Sequence, residues 1–256
     1  MAESGRYLYA ISRGLTPEHL TGTRGLADAP LDVVEEHGLA AVVSTVDLQE
    51  YGEEGLRRNL EDLAWLEQVA RTHDAVVHAV AVHGPTAPMR LATICLGDDQ
   101  VRSRLEQWRE PLERALERVA GRTEWSVKAF TDAPEDEAAE PEPASGGPGA
   151  GAAYLRRRKE EVARRQHAVT DAARLGDELH TALSGRCVAS RRLPPQDRRL
   201  TGHQGTMILN GAYLVDEAAA AQFREAAEGL AAAHPAARVE VQGPWPPYSF
   251  ATLEES

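Results

Sequence analysis

The segment DAPEDEAAEPEPASGGPGAG, Asp132 to Gly151, decides how the rest of the chain is read. It holds six carboxylates, no basic residue and no large apolar residue. Like charges and prolines resist compaction, and glycines cannot build a core. The segment therefore reads as a flexible linker. Before it lies an N-terminal α+β domain, residues 1–131. After it come a C-terminal domain, residues 152–243, and a Pro/aromatic tail, residues 244–256. Its GGPGAG is only superficially like a phosphate-cradling loop, because no strand precedes it and carboxylates crowd its upstream side.

Outward from the linker, TEWSVKAF reads as the strand that closes the first domain. At the start of that domain RYLYAI alternates, with Tyr7, Tyr9 and Ile11 on one face, as in a half-buried strand. LDVVEEHGLAAVVSTV reads as a hairpin that turns at Glu36–Gly38. Leu56, Leu60, Leu63, Val69, His73, Val76 and Val80 recur at helical steps and share one face. Thr72 or Asp74 could cap a second helix and break that run. PMRLATICL predicts a strand. A helix capped by Asp98 follows, with Val101, Leu105, Trp108, Leu112, Ala115 and Val119 as its stripe. Pro111 is expected to kink it and Gly121 to stop it.

On the other side of the linker a long helix is predicted from about Tyr154 to Leu183. Its expected buried seam is Leu155, Val162, Val169, Ala172, Leu179 and Leu183. RCVASRRL and TMILNGAYLV read as strands. Asp216 is expected to cap a helix carrying Phe223, Ala227 and Leu230, and ARVEVQG reads as a last strand ended by Gly243. The order α-β-β-α-β is most of a ferredoxin-like sandwich. The expected fold class is α+β: two domains, antiparallel sheets with helices packed on them, the second ferredoxin-like.

Bulk properties narrow the function. The chain has 256 residues, 42% hydrophobic and 27% charged, and a net charge of −12. A general nucleic-acid binder needs a basic footprint, so that class is disfavoured. No run approaches the roughly 18 apolar residues that span a bilayer. The start, MAESGRYLYAIS, lacks a basic leader before an apolar run. Cys95 and Cys187 stand apart in no metal or redox motif and are expected to be reduced thiols. The expectation is a cytoplasmic protein with no nucleic-acid or membrane partner.

Chemical motifs are sparse. His73, His78 and His83 are five apart, which on a helix turns successive side chains by about 140° and denies them a common metal. His73 falls on the apolar stripe and reads as a core histidine bonded to backbone or Asp74. There is no nucleophile elbow, no zinc-protease motif and no phosphate loop, so no catalytic residue, metal or cofactor is expected. The best enzymatic or small-molecule alternative combines His73, Arg90 and Glu124. Arg156 and Arg157 lie four residues before Glu160 and Glu161, as on a solvated helix face. Arg186, Arg191, Arg192, Arg198 and Arg199 form a second basic group that suits either an acidic partner or the acidic linker.

The tail GPWPPYSF, Gly243 to Phe250, is rigid and aromatic. Prolines lose little entropy on docking, so Trp245, Tyr248 and Phe250 can pack at low cost. Such a segment either offers its aromatics to a partner or folds back as a lid. The lid is the blander reading, because an exposed aromatic trio invites aggregation. It places Trp245 against the chain's own helices.

In order along the chain, YLYAI, GLAAVVSTV, WLEQVARTHDAVVHAV, PMRLAT, TEWSVKAF, MILNGAYLVD and GPWPPYSF resemble the GvpL/GvpF family of gas vesicle proteins. The resemblance covers nearly the whole sequence. Two departures stand out: the family's turn after Pro-x-Arg usually resembles Phe-Gly-Thr, here Leu91-Ala92-Thr93, and the acidic linker is long. The resemblance implies a two-domain α+β fold and a non-enzymatic accessory role in gas vesicle formation, at the vesicle and in the cytoplasm. Its implied partners are the hydrophobic shell protein and other accessory proteins. It marks His73, Arg90, Trp125, Trp245, Pro247, Tyr248 and Phe250 as partner-binding or structural candidates. An apolar shell subunit aggregates unless covered, and a strongly acidic protein would keep such a complex in solution.

Overall fold

The structure, a computed structural model, describes residues 3–131, 150–196 and 205–251, with side chains from residue 154 onward in the middle stretch. Arg198, Arg199 and the segment read as a linker lie outside the described residues, apart from Ala150 and Gly151. The chain divides into two compact units, Met1–Glu124 with Pro244–Ser256, and Trp125–Gly243. The division differs from the one read in the sequence at two places. The tail joins the first unit, and the strand from Trp125 joins the second.

In the first unit β1 (Ser4–Arg13) is the central strand. β3 (Leu39–Asp47) pairs with it on one side, and β4 (Thr86–Pro88) and β5 (Ile94–Cys95) pair with it as well, all antiparallel. β2 (Leu31–Glu36) forms the predicted hairpin with β3. Tyr7, Leu8, Tyr9, Ala10 and Ile11 are each at most 1% exposed. The alternation expected of a half-buried strand is thus carried by a strand covered on both faces. A bulge falls at Tyr9, between Leu8 opposite Val43 and Ala10 opposite Val42. The Tyr9 hydroxyl bonds Ser44 Oγ at 2.7 Å and accepts the Leu26 N–H at 2.8 Å. Gly25 lies so close that a Cβ there would sit 2.6 Å from that hydroxyl.

Ahead of the tail, the described residues of this unit form the helices α1 (Leu48–Tyr51), α2 (Glu53–Asn59), α3 (Leu63–Ala81), α4 (Asp98–Gln107) and α5 (Arg109–Val119). α3 lays Val69, His73, Val76, Val77 and Val80 into one core with Tyr7 and Tyr9. It begins where the Asp62 carboxylate accepts the N–H groups of Ala64 and Trp65, and it runs unbroken through Thr72–Asp74. That cap breaks the predicted stripe, and Leu60 and Leu63 beside it are exposed. The next helix breaks at Trp108, three residues before Pro111. Pro111 then sits in the first turn of α5, where its missing N–H has no intrahelical acceptor. The cap of α4 is Gly97, not Asp98, whose carboxylate receives Arg6 Nε at 2.8 Å. PMRLATICL is two short strands with a tight turn at Arg90–Thr93 between them.

In the second unit β6 (Arg122–Thr131), from Trp125 on, is the first strand rather than the close of the first domain. It is followed by α6 (Ala150–Ser184), β7 (Ala189–Arg192), β8 (Thr206–Asp216), α7 (Ala220–Ala233) and β9 (Ala237–Trp245). The element order is β-α-β-β-α-β and the strands lie β7-β8-β6-β9, an order compatible with a ferredoxin-like unit. Trp125, Val127 and Ala129 share a core with Leu179, Leu183, Leu209, Tyr213 and Phe223. α7 starts after a 3-10 turn at Glu217–Ala219, and Asp216 makes no side-chain cap. β9 runs on past Gly243 to Trp245.

α6 is buried only in its second half. Ala172, Leu179 and Leu183 are in the core, whereas Leu155, Val162 and Val169 are 66%, 46% and 38% exposed. The reason is length. Thirty-five helical residues reach about 52 Å at 1.5 Å each, and the 11 residues of β8 only about 36 Å at 3.3 Å each. Gly176 marks the tightest approach, since a Cβ there would collide with the Ile208 carbonyl oxygen.

Candidate functional site

His73 is 3% exposed, on the core face of α3. The Tyr7 hydroxyl lies 3.1 Å from its Nδ1 and also accepts the Ala92 N–H at 3.1 Å. A hydroxyl has one proton, and donating it to Nδ1 leaves the ring proton on Nε2. Nε2 is buried and makes no hydrogen bond of normal geometry. Burial pushes the imidazole pKa down from 6.5 to about 4; the Met89 carbonyl and the Asp74 carboxylate oppose that without overcoming it. His73 is thus a neutral core group whose Nδ1 is bonded to Tyr7, with the Met89 backbone carbonyl and the Asp74 charge also acting on the ring.

The turn above it is shaped by backbone. Thr93 donates its N–H and Oγ to the Arg90 carbonyl, at 3.2 and 2.7 Å. Ala92 sits at φ 61°, a left-handed conformation that favours glycine. The Arg90 side chain is exposed.

The tail closes on the same unit. Pro246, Pro247, Phe250 and Ala251 are buried, and the terminal helical turn Tyr248–Ala251 packs on α5 and β4. Tyr248 adds its ring to the core of Tyr7 and Val76, and its hydroxyl donates to Asp74 Oδ1 at 3.1 Å. Burial raises its pKa, and the Asp74 charge and hydrogen bond raise it further. Ser249 donates its N–H and Oγ to the two oxygens of Glu124, at 2.7 and 2.6 Å. Glu124 is only 8% exposed, so these are charge-assisted bonds in a dry place.

Trp245 departs from expectation. It is 41% exposed, edge-on to His78 at 5.7 Å between ring centroids, rather than buried. It is the last residue of β9, the edge strand of its sheet. His78 itself donates Nδ1–H to the Asp74 carbonyl at 2.9 Å.

His73, Pro247, Tyr248 and Phe250 therefore meet in one unit, Arg90 lies on the surface of the adjoining turn, and Trp245 is half-exposed. Trp125 is elsewhere, in the second core, 5% exposed and 6.0 Å from Phe223. The alternative site of His73, Arg90 and Glu124 finds its buried members already engaged, His73 by Tyr7 and Glu124 by Ser249. Asp74 and Ser249 are fasteners that sequence reasoning missed. The available signals were a carboxylate directly after the apolar-stripe His73 and a serine between two aromatics. Among the described residues no three His, Cys, Asp or Glu side chains are placed to hold a metal ion. No described helix is long and apolar enough to cross a membrane.

Fold and site together define a two-unit α+β protein whose C-terminal motif is a clasp on its own N-terminal unit. The chain belongs to the family described as gas vesicle synthesis protein GvpL/GvpF, which matches residues 5–252. It is 41% identical over 254 residues to Gas vesicle protein L of Streptomyces sp. (strain CB03234), covering 98% of this chain and 94% of that relative. It is 28% identical to Gas vesicle protein L1 of Halobacterium salinarum, covering 97% and 90%. In three dimensions it is similar to the crystal structure of the gas vesicle protein GvpF from Anabaena sp. PCC7120, with a TM-score of 0.71, 19% identity and 98% of each chain covered.

Proposed function

We propose that the chain is a non-enzymatic accessory protein of gas vesicle formation. It acts in the cytoplasm and at the growing vesicle by binding the hydrophobic shell protein, other accessory proteins, or both. The observation that carries this reading is the family match over residues 5–252. The geometry supports the non-enzymatic part. Polar groups of the tail and of the core it meets are paired within the protein: Tyr7 with His73, Tyr248 with Asp74, Ser249 with Glu124.

The test is co-expression of the tagged full chain with the gas vesicle proteins, capture, and mass spectrometry. Co-capture of the shell subunit or another vesicle protein at near-stoichiometric yield is expected. Capture of none would end the partnership. A thermal-shift screen against metabolites checks the enzymatic alternative, for which a saturable stabilisation lost in a His73 variant would count.

A further inference from the structure

The seam of α6 continues beyond what its sheet covers. Leu155, Val162 and Val169 follow at intervals of seven, and the same line runs on through Gly176, packed on Ile208, to Leu183 in the core. The face that binds the sheet is therefore bare at its N-terminal end. Arg158, Lys159 and Arg165 stand three or four residues from seam positions and flank it, and Arg156, Arg157 and Arg164 lie further round the same arm, against only Glu160 and Glu161. Arg165 pairs with Glu161 at 3.5 Å, and the other five cations have no carboxylate partner among the described residues. This lies in a chain of net charge −12.

We propose that this arm is the docking surface for an acidic amphipathic helix of another polypeptide. The proposal rests on reading the chain as a partner-binding protein and names the chemistry of one partner. Leu155, Val162 and Val169 form one apolar line on one helix face that a second helix can meet with its own apolar residues, and the positions between them, Arg158 and Arg165, are cationic. From Leu155 to Val169 the line spans about 21 Å at 1.5 Å per residue, some four turns of a partner. The flanking guanidinium groups select carboxylates beside that ridge.

Other occupants fit less well. Residues 132–149 of this chain are acidic, but they offer no apolar residue larger than proline, so they match the charge and not the seam. A second copy would bring its unpaired cations against the first. An anionic membrane suits a basic amphipathic helix, yet this seam has three aliphatic residues and no aromatic anchor, on a strongly acidic protein.

The test uses the full-length chain and a labelled synthetic peptide of about 16 residues, enough to span the seam. The peptide carries leucines at heptad spacing and glutamates elsewhere, and a scrambled peptide of the same composition is the control. Anisotropy titration should show saturable binding of the first peptide that weakens as salt screens the charges. Val162→Asp should weaken it at least about tenfold, which is 1.4 kcal/mol, while circular dichroism and melting stay unchanged because the residue is exposed. Arg158→Glu with Lys159→Glu should do the same by charge alone. Equal binding of the scrambled peptide, or unchanged binding by Val162→Asp, would overturn the proposal. So would binding of phosphatidylserine vesicles without the peptide, or a dimer in sedimentation that Val162→Asp dissociates. The vesicle-protein capture described above decides the underlying reading separately, so the two failures are distinguishable.

Discussion

Phe250→Ala tests whether the tail is a clasp. The side chain is 4% exposed in the turn that packs on α5 and β4. Truncating a buried phenylalanine costs about 3–5 kcal/mol when the site cannot collapse. Here the loss has a ceiling, because a tail that has let go has nothing more to lose. Ser249 and Tyr248 still hold it, with hydrogen bonds to ionised acceptors worth about 1.5–3 kcal/mol each. The lower end, about 3 kcal/mol, is therefore the expected cost. For a domain of this size 1 kcal/mol moves Tm by roughly 3–4 °C, so the first-unit transition should fall by about 10 °C. Differential scanning calorimetry on the full chain is the assay. The transition of the unit Trp125–Gly243 should stay in place, since Phe250 belongs to the other unit. Trp245→Ala, at a half-exposed position, is the control and should shift Tm by no more than about 4 °C. A fall under about 2 °C for Phe250→Ala would refute the clasp. If partner binding were lost at the same time, the tail would instead be an interaction segment.

Three further predictions follow from single positions. The unfolded chain binds a proton at His73 near pH 6.5 and the folded chain only near pH 4, so this stability is fully present above pH 6.5 and is lost as pH falls toward 4. The loss is about 3 kcal/mol; urea titrations from pH 7 to 4 should show it, and a His73→Gln variant with the same slope would contradict it. Gly176→Ala gains about 1 kcal/mol of helix propensity but drives a methyl group into the Ile208 carbonyl, so a net loss of about 1–2 kcal/mol is expected in the second unit; an unchanged or raised second transition would show that the helix can retreat. Ala92→Gly relieves a left-handed alanine at φ 61° and restores the glycine of the turn that the family resemblance suggests. After the entropy gained by the unfolded chain it should stabilise by about 0.5 kcal/mol, and a lower Tm would mean that the turn is not strained.

Much of the fold is legible locally. The hairpin at Glu36–Gly38, the helical face of Val69, His73, Val76 and Val80, and the core seam of Leu179 and Leu183 all follow from periods of two and 3.6 residues. Those periods depend on neighbours a few residues away, and the sequence displays them directly. Caps were legible in kind and missed in place. Asp62 and Gly97 win over Asp74 and Asp98 because a cap needs a backbone that leaves the helix there, and Asp74 and Asp98 lie inside their helices.

What only the tertiary structure decides is which surface each element meets. The alternation in TEWSVKAF is satisfied by either sheet, and the core of Phe223 and Tyr213 claims it for the second unit. The seam of α6 has the same period along its length, yet its burial stops where the strands stop. The clasp is the clearest case. Glu124 can be buried because Ser249 reaches it from 125 residues away, and Asp74 holds Tyr248 across 174. A carboxylate and a serine are individually ordinary surface residues, and only the chain's long-range path turns them into a buried pair.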